Sequence, residues 1–173
     1  MGPSSRVIHS RAGDKQIPDL LAMIFASELL RPSADIWLVS PWISDIPILD
    51  NRADRFVTIE PTWARRQVPL SQVLTRLRAD GARVRVATRD IDTNRHFLDT
   101  LRRVSTAAGC PIRVYCNDEL HEKGLVTDRC FLSGSMNFTF NGITINQESV
   151  HLYTDQDAVA RARTTMQNRW PDA

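Results

Sequence analysis

The sequence predicts an α/β protein built on a mixed β-sheet with helices packed on both faces. Two observations lead there. Segments carrying apolar residues at helical spacing alternate along the chain with short runs rich in β-branched and aromatic residues, the pattern of strands joined by helices. Two of these runs, Leu125-Val126-Thr127 and Cys130-Phe131-Leu132, are separated only by Asp128-Arg129 and read as an antiparallel hairpin, so the sheet is mixed. The chain of 173 residues with 42% hydrophobic content is long enough for one compact domain, and no stretch is long and apolar enough to span a bilayer.

Residues 1–15 are polar and carry Gly2, Pro3 and Gly13, the composition of a loose arm, which leaves 16–173 as the single folded domain. Residues 17–30 show helical spacing, with Pro18 tolerated in the first turn and Arg31-Pro32 ending the helix. A strand at 36–39 follows. From 43 to 69 no period holds, because Pro47, Pro61, Trp63 and Arg65-Arg66 interrupt it; the segment is expected to be an irregular surface connection with room to line a substrate groove.

Residues 70–78 read as a helix ended near Gly81, and 83–88 as a strand with Val84, Val86 and Thr88 on one side. Phe97, Leu98, Leu101 and Val104 form the apolar stripe of a helix at 94–107, and 112–115 supplies another strand. After the hairpin come a strand at 146–153 and a helix at 155–170 whose acidic first residues suit its dipole.

Net charge is only +2, yet 20 of the 22 basic residues are arginine. Arg65, Arg66, Arg76, Arg78, Arg83, Arg85, Arg89, Arg95, Arg102 and Arg103 crowd the middle of the chain. They form either a solvated face balanced by Asp80, Asp90, Asp92 and Asp99, or in part a set of contacts to nucleic-acid phosphates. Cys110, Cys116 and Cys130 are odd in number with no CxxC pair, and no leader pattern is visible, so the expected compartment is a reducing cytoplasm. With His121 these cysteines match no common zinc spacing, and neither a metal nor another cofactor is expected.

The chemistry concentrates between residues 121 and 148. His121-Glu122-Lys123 precedes the hairpin, Asp128 lies in its turn, Gly134-Ser135-Met136-Asn137 follows it, and Asn146-Gln147-Glu148 opens the next strand. Cleaving a phosphodiester without a metal needs a nucleophile, a cation and an amide donor for the phosphate oxygens, and a carboxylate to orient the nucleophile. His121, Lys123, Asn137 and Glu148 supply those groups. Strand alternation puts His121 and Lys123 on one face and Glu122 and Asp128 on the other, which makes Asp128 structural. Gly134, lacking a side chain, lets backbone approach a phosphate, with Ser135 and Asn137 following at matching parity. Glu148 shares a face with Val150 and Leu152, where a carboxylate is costly unless paired; His121 is the expected partner.

This combination resembles the phospholipase D superfamily, whose mark is H-x-K-x4-D followed by G-S-x-N and, in nuclease-like members, N-x-E. His121, Lys123, Asp128, Gly134, Ser135, Asn137, Asn146 and Glu148 match every position, although the spacing from Asp128 to Gly134 is a residue shorter than usual and implies a tighter hairpin. The segment from Asp35 to Trp42 looks like the family's first core strand, and the helix and strand after it follow in the family's order. The resemblance implies a phospholipase D-like α-β-α sandwich and a phosphohistidine intermediate on His121. Lys123 and Asn137 would then hold the non-bridging oxygens, Glu148 the second ring nitrogen of His121, and Trp42 would border the site.

The family reaction uses two histidines, whereas His9, His96 and His151 lack a lysine two residues later. A homodimer with the site on its two-fold axis supplies the second. The expected function is therefore metal-independent cleavage of nucleic acid, DNA ahead of RNA, in the manner of stand-alone members acting with partner proteins in bacterial defence or restriction. Two alternatives stay open: phospholipid hydrolysis or transfer by the same chemistry, and a silent nucleic-acid-binding subunit.

Overall fold

The computed structural model describes residues 5–171. The chain opens with β1 (Ser5–His9), α1 (Gln16–Leu30) and β2 (Asp35–Val39), then a small hairpin of β3 (Pro47–Asp50) and β4 (Gln67–Pro69). It continues through α2 (Leu70–Ala79), β5 (Arg83–Thr88), α3 (Asp92–Ala107), β6 (Arg113–Cys116), β7 (Gly124–Val126) and β8 (Phe131–Gly134). The last elements are α4 (Phe140–Thr144), β9 (Ser149–Tyr153) and α5 (Gln156–Arg169). Seven strands form one sheet in the order β1-β9-β8-β7-β2-β5-β6. The β2, β5 and β6 strands run parallel, and every other neighbouring pair is antiparallel.

β2 is the centre of this architecture, and all five of its residues are buried. Its alternation divides the interior in two. Ile36 and Leu38 face the larger core, which α1, α2 and α3 cover with residues such as Phe25, Leu74 and Phe97. Trp37 and Val39 face a smaller core closed by Ala162 and Met166 of α5 and by Trp170. A strand covered on both faces reads as a continuous apolar run, and Ile36 to Val39 is one. Helices on both faces of a mixed sheet are the architecture expected from the sequence.

Several local expectations are corrected. Residues 5–9, expected within a loose arm, form an edge strand paired antiparallel with β9 from Ser5↔Tyr153 to His9↔Ser149. The edge of β9 leaves backbone groups that this segment satisfies, and Ile8 is buried in doing so. Residues 1–4 of that arm lie outside the described residues. The segment 43–69 is more ordered than its prolines suggest: Ile48, Leu49, Trp63 and Val68 are buried, and Asn51 ties it together from within. Its amide donates to the Trp63 carbonyl at 2.9 Å and accepts from the Phe56 amide at 2.8 Å. The last strand starts at Ser149, so Asn146 and Glu148 precede it; the short α4 intervenes before them.

Most of the mid-chain arginines are paired with carboxylates. Arg65 meets Asp54, Arg76 meets both Glu60 and Asp80, Arg95 meets Asp92, and Arg102 meets Asp99. Arg83 and Arg85 both grip the buried Asp35, at 2.6 and 2.7 Å. Burial pushes the Asp35 carboxyl up, but the two guanidinium groups outweigh it and hold the pKa below the usual value.

Candidate active site

Strand register brings the motif residues to one edge of the sheet. Val39 at the end of β2 lies opposite Gly124 at the start of β7, Gly124 opposite Ser133, and Gly134 opposite Val150 at the start of β9. His121, Lys123, Ser135, Asn137 and Glu148 therefore all leave or enter the sheet at this edge. It is also the C-terminal edge of the parallel strands β2, β5 and β6, where open α/β sheets bind ligands.

The loop bearing His121 is seated from below. Leu120 is fully buried, and the Asn117 amide donates to the Thr88 carbonyl at 2.9 Å, continuing the β5–β6 ladder. Arg89, the first residue after β5, donates from Nε to the Leu120 carbonyl at 2.8 Å. Its NH2 nitrogen lies 3.1 Å from Nδ1 and 3.3 Å from Nε2 of His121, and its guanidinium covers the Trp42 ring at 5.0 Å. Among the described residues no carboxylate pairs with Arg89. Lys123 folds back so that Nζ donates to the His121 carbonyl at 2.7 Å.

Ser40 and Asn94, both fully buried, fix the opposite wall. The Ser40 hydroxyl donates to the Trp42 carbonyl at 2.7 Å, accepts from the Phe138 amide at 3.2 Å, and lies 3.5 Å from Oδ1 of Asn137. With Oδ1 turned to Ser40, the amide nitrogen of Asn137 is the group left for an anion. Asn94 accepts from the Ile43 amide and donates to the Pro41 carbonyl, both at 2.9 Å, so Trp42 rides on a loop clamped from both sides. Neither Ser40 nor Asn94 stood out in the sequence; an uncharged polar residue carries no signal there until the loops it joins are known.

Glu148 takes a different partner from the one expected. Its carboxylate accepts a short hydrogen bond from the Ser135 hydroxyl and one from the Asn146 amide at 3.3 Å, while the ring of His121 contacts Arg89. Ser10, just past β1, exchanges hydrogen bonds with the Glu148 backbone, so the edge strand missed in the sequence supports this carboxylate. Gly134 also differs from expectation. A β-carbon there would stand 2.1 Å from the Ser149 carbonyl, so its missing side chain admits the neighbouring strand.

Asp128 lies at the other edge of the sheet, in the β7–β8 turn, separated from Lys123 by the length of β7, roughly 10 Å. Its carboxylate accepts from the Ala34 amide at 2.6 Å and from Arg163 of α5 at 2.9 Å. Glu122 likewise pairs with Arg169 of α5 at 2.6 Å. Among the described residues, no three His, Cys, Asp or Glu side chains gather into a metal-binding group.

A seven-stranded sheet with this histidine and lysine at its C-terminal edge defines the class, and the comparisons name it. The model of the cardiolipin synthase PLD-like domain family matches residues 48–170, and the chain belongs to this family of the phospholipase D superfamily. No curated protein matches the chain. Among solved structures, the phospholipase D family member Nuc from Salmonella typhimurium is 18% identical with a TM-score of 0.61, over 96% of this chain and 93% of that one. NucT from Helicobacter pylori is 10% identical with a TM-score of 0.58, over 95% and 93%. Phosphatidylserine synthase from Haemophilus influenzae Rd KW20 is 16% identical with a TM-score of 0.59, over 95% of this chain but 38% of that one. These likenesses establish a phospholipase D-like fold.

Proposed function

We propose that this protein is a metal-independent phosphodiesterase that cuts nucleic acid, DNA ahead of RNA, as a homodimer. The observation that carries the reading is Arg89, a guanidinium without a carboxylate partner among the described residues, resting on both ring nitrogens of His121 and on an exposed tryptophan. A cation so placed suits a phosphodiester: when the scissile phosphate arrives, Arg89 moves from the imidazole to the phosphate oxygens and uncovers the nucleophile. Lys123 and the Asn137 amide stabilise the charge that develops. An imidazole nitrogen of His121 bonds to phosphorus as the P–O bond breaks, and the leaving oxygen takes a proton from His121 of a second copy. Water then attacks phosphorus and gives a proton to that second histidine as the P–N bond breaks, which frees His121. Glu148, steadied by Ser135 and Asn146, orients the imidazole through its other nitrogen once the dimeric site closes.

The family model's name makes phospholipid hydrolysis or transfer the rival reading. Against it, no helix of the described residues is long and apolar enough to cross a membrane, and the side chain on the His121 ring is Arg89, a cation stacked on Trp42. The proposed setting is a bacterial defence or restriction system with partner proteins, as for stand-alone members of the family. Purified protein incubated with labelled DNA, RNA and phospholipid vesicles, with and without EDTA, tests the reading. Cleavage of nucleic acid in EDTA is expected; phospholipid turnover alone, or nucleic-acid binding without turnover, would overturn it.

A further inference from the structure

Beside Asn137 the surface dips into a hollow of about 370 Å³ lined by Trp42, Ser44, Thr93, Asn137, Phe140 and Asn141, together with the buried Asn94. Its volume falls within the ~300–1,000 Å³ usual for small-ligand pockets. Two aromatic residues border it, and neither is packed away: Trp42 is 38% exposed and Phe140 56%. Phe140 opens α4, with Thr139 capping that helix through a bond from the Gly142 amide at 3.1 Å, so the aromatic ring projects from a fixed backbone. Amides and hydroxyls make up the rest of the lining. Arg89 covers the Trp42 ring, and Trp42 lines the hollow, so one indole adjoins both the guanidinium and the hollow.

Aromatic faces, neutral donors and acceptors, and a cation next door match the chemistry of a nucleotide. We propose that this hollow takes a single unpaired nucleobase attached next to the scissile phosphate, and that the enzyme therefore acts on strands that are single or locally unpaired. This rests on the nuclease reading and specifies its substrate. A base in a duplex has both faces stacked and its pairing edge occupied, so it reaches such a slot only from a single strand or by leaving the helix. Trp42 and Phe140 offer stacking, which tolerates any base, and Asn137 and Asn141 offer hydrogen bonds to its edge. Asn137 lines both the hollow and the phosphate site, so a base seated there also fixes the register of the phosphate against His121.

The test compares three oligonucleotides of one sequence: single-stranded, fully paired, and single-stranded with an abasic residue next to the cleaved position. Wild-type protein should cut the intact single strand with kcat/KM at least tenfold above the other two. Phe140→Ala removes an exposed ring and leaves the core untouched; it should lower kcat/KM on the intact strand about tenfold and leave the abasic strand unchanged. Equal rates on all three substrates, or equal losses with and without the base, would overturn the slot while leaving the nuclease reading standing. Loss of dimer in light scattering on Phe140→Ala would also overturn it, marking the ring as a contact between chains. No cleavage of any oligonucleotide would instead sink the nuclease reading itself.

Discussion

His121 and Arg89 carry the functional reading at the scale of single residues. On the proposed mechanism His121→Ala and Lys123→Ala should each abolish turnover, since one would remove the nucleophile and the other a phosphate cation. Both side chains lie at the surface edge of the sheet, so thermal midpoints should move by less than a few degrees, checked by calorimetry. Arg89→Ala should weaken oligonucleotide binding and reduce the slope of log K against log salt by about one, because one phosphate contact is lost. An unchanged slope would mean that Arg89 only packs on Trp42. Asp128→Ala belongs to another category. It strips two hydrogen-bond donors of their acceptor at the far edge of the sheet and should cost about 1–3 kcal/mol in urea denaturation, with activity retained where the protein is folded.

Between elements, two contacts are specific enough to test. Gly134→Ala would drive a β-carbon against the Ser149 carbonyl, and the β8–β9 pairing must open to admit it; a loss on the order of 3 kcal/mol is expected, with Glu148 displaced alongside. Asp35 joins the β2 and β5 strands through Arg83 and Arg85. Its pKa is lowered in the folded state, so its stabilisation is complete above the unfolded value of about 3.9 and is lost as pH falls through the folded one. Denaturation midpoints measured from pH 6 down to pH 2 should fall in the wild type, and more shallowly below pH 4 in Asp35→Asn.

At the scale of the whole molecule, the proposed mechanism requires two histidines from one motif. In a dimeric site one His121 attacks while neutral and its mate gives up a proton, so a bell-shaped pH profile belonging to the coupled pair is expected. Mixing wild type with excess His121→Ala chains should suppress activity below simple dilution, since a mixed dimer lacks one of the two groups. Full activity from a chain shown to be monomeric by light scattering would refute the shared site. Activity should also survive EDTA, because in the proposed dimeric site Lys123, Asn137 and their mates would provide the charge and donors that a metal supplies elsewhere.

The sequence by itself determined the family and the alternation of strands and helices. H-x-K-x4-D, G-S-x-N and N-x-E are local patterns, and so are the apolar periods of α1, α3 and β2. Strand parity sets Glu122 and Asp128 apart from His121, but β7 covers only Gly124–Val126, so these residues lie in the flanking loops, where both carboxylates pair with α5. What joins distant segments was decided only by the tertiary structure. Arg89 was one arginine among ten in a crowded stretch, and its meeting with His121 and Trp42 depends on β5 lying beside β2. The pairing of β1 depends on β9 presenting a free edge, and Glu148 found Ser135 because the β8–β9 register set them side by side. Strand register and sheet order are long-range choices, fixed by which arrangement buries both faces of β2 at once, and they are therefore written in no short stretch of the chain.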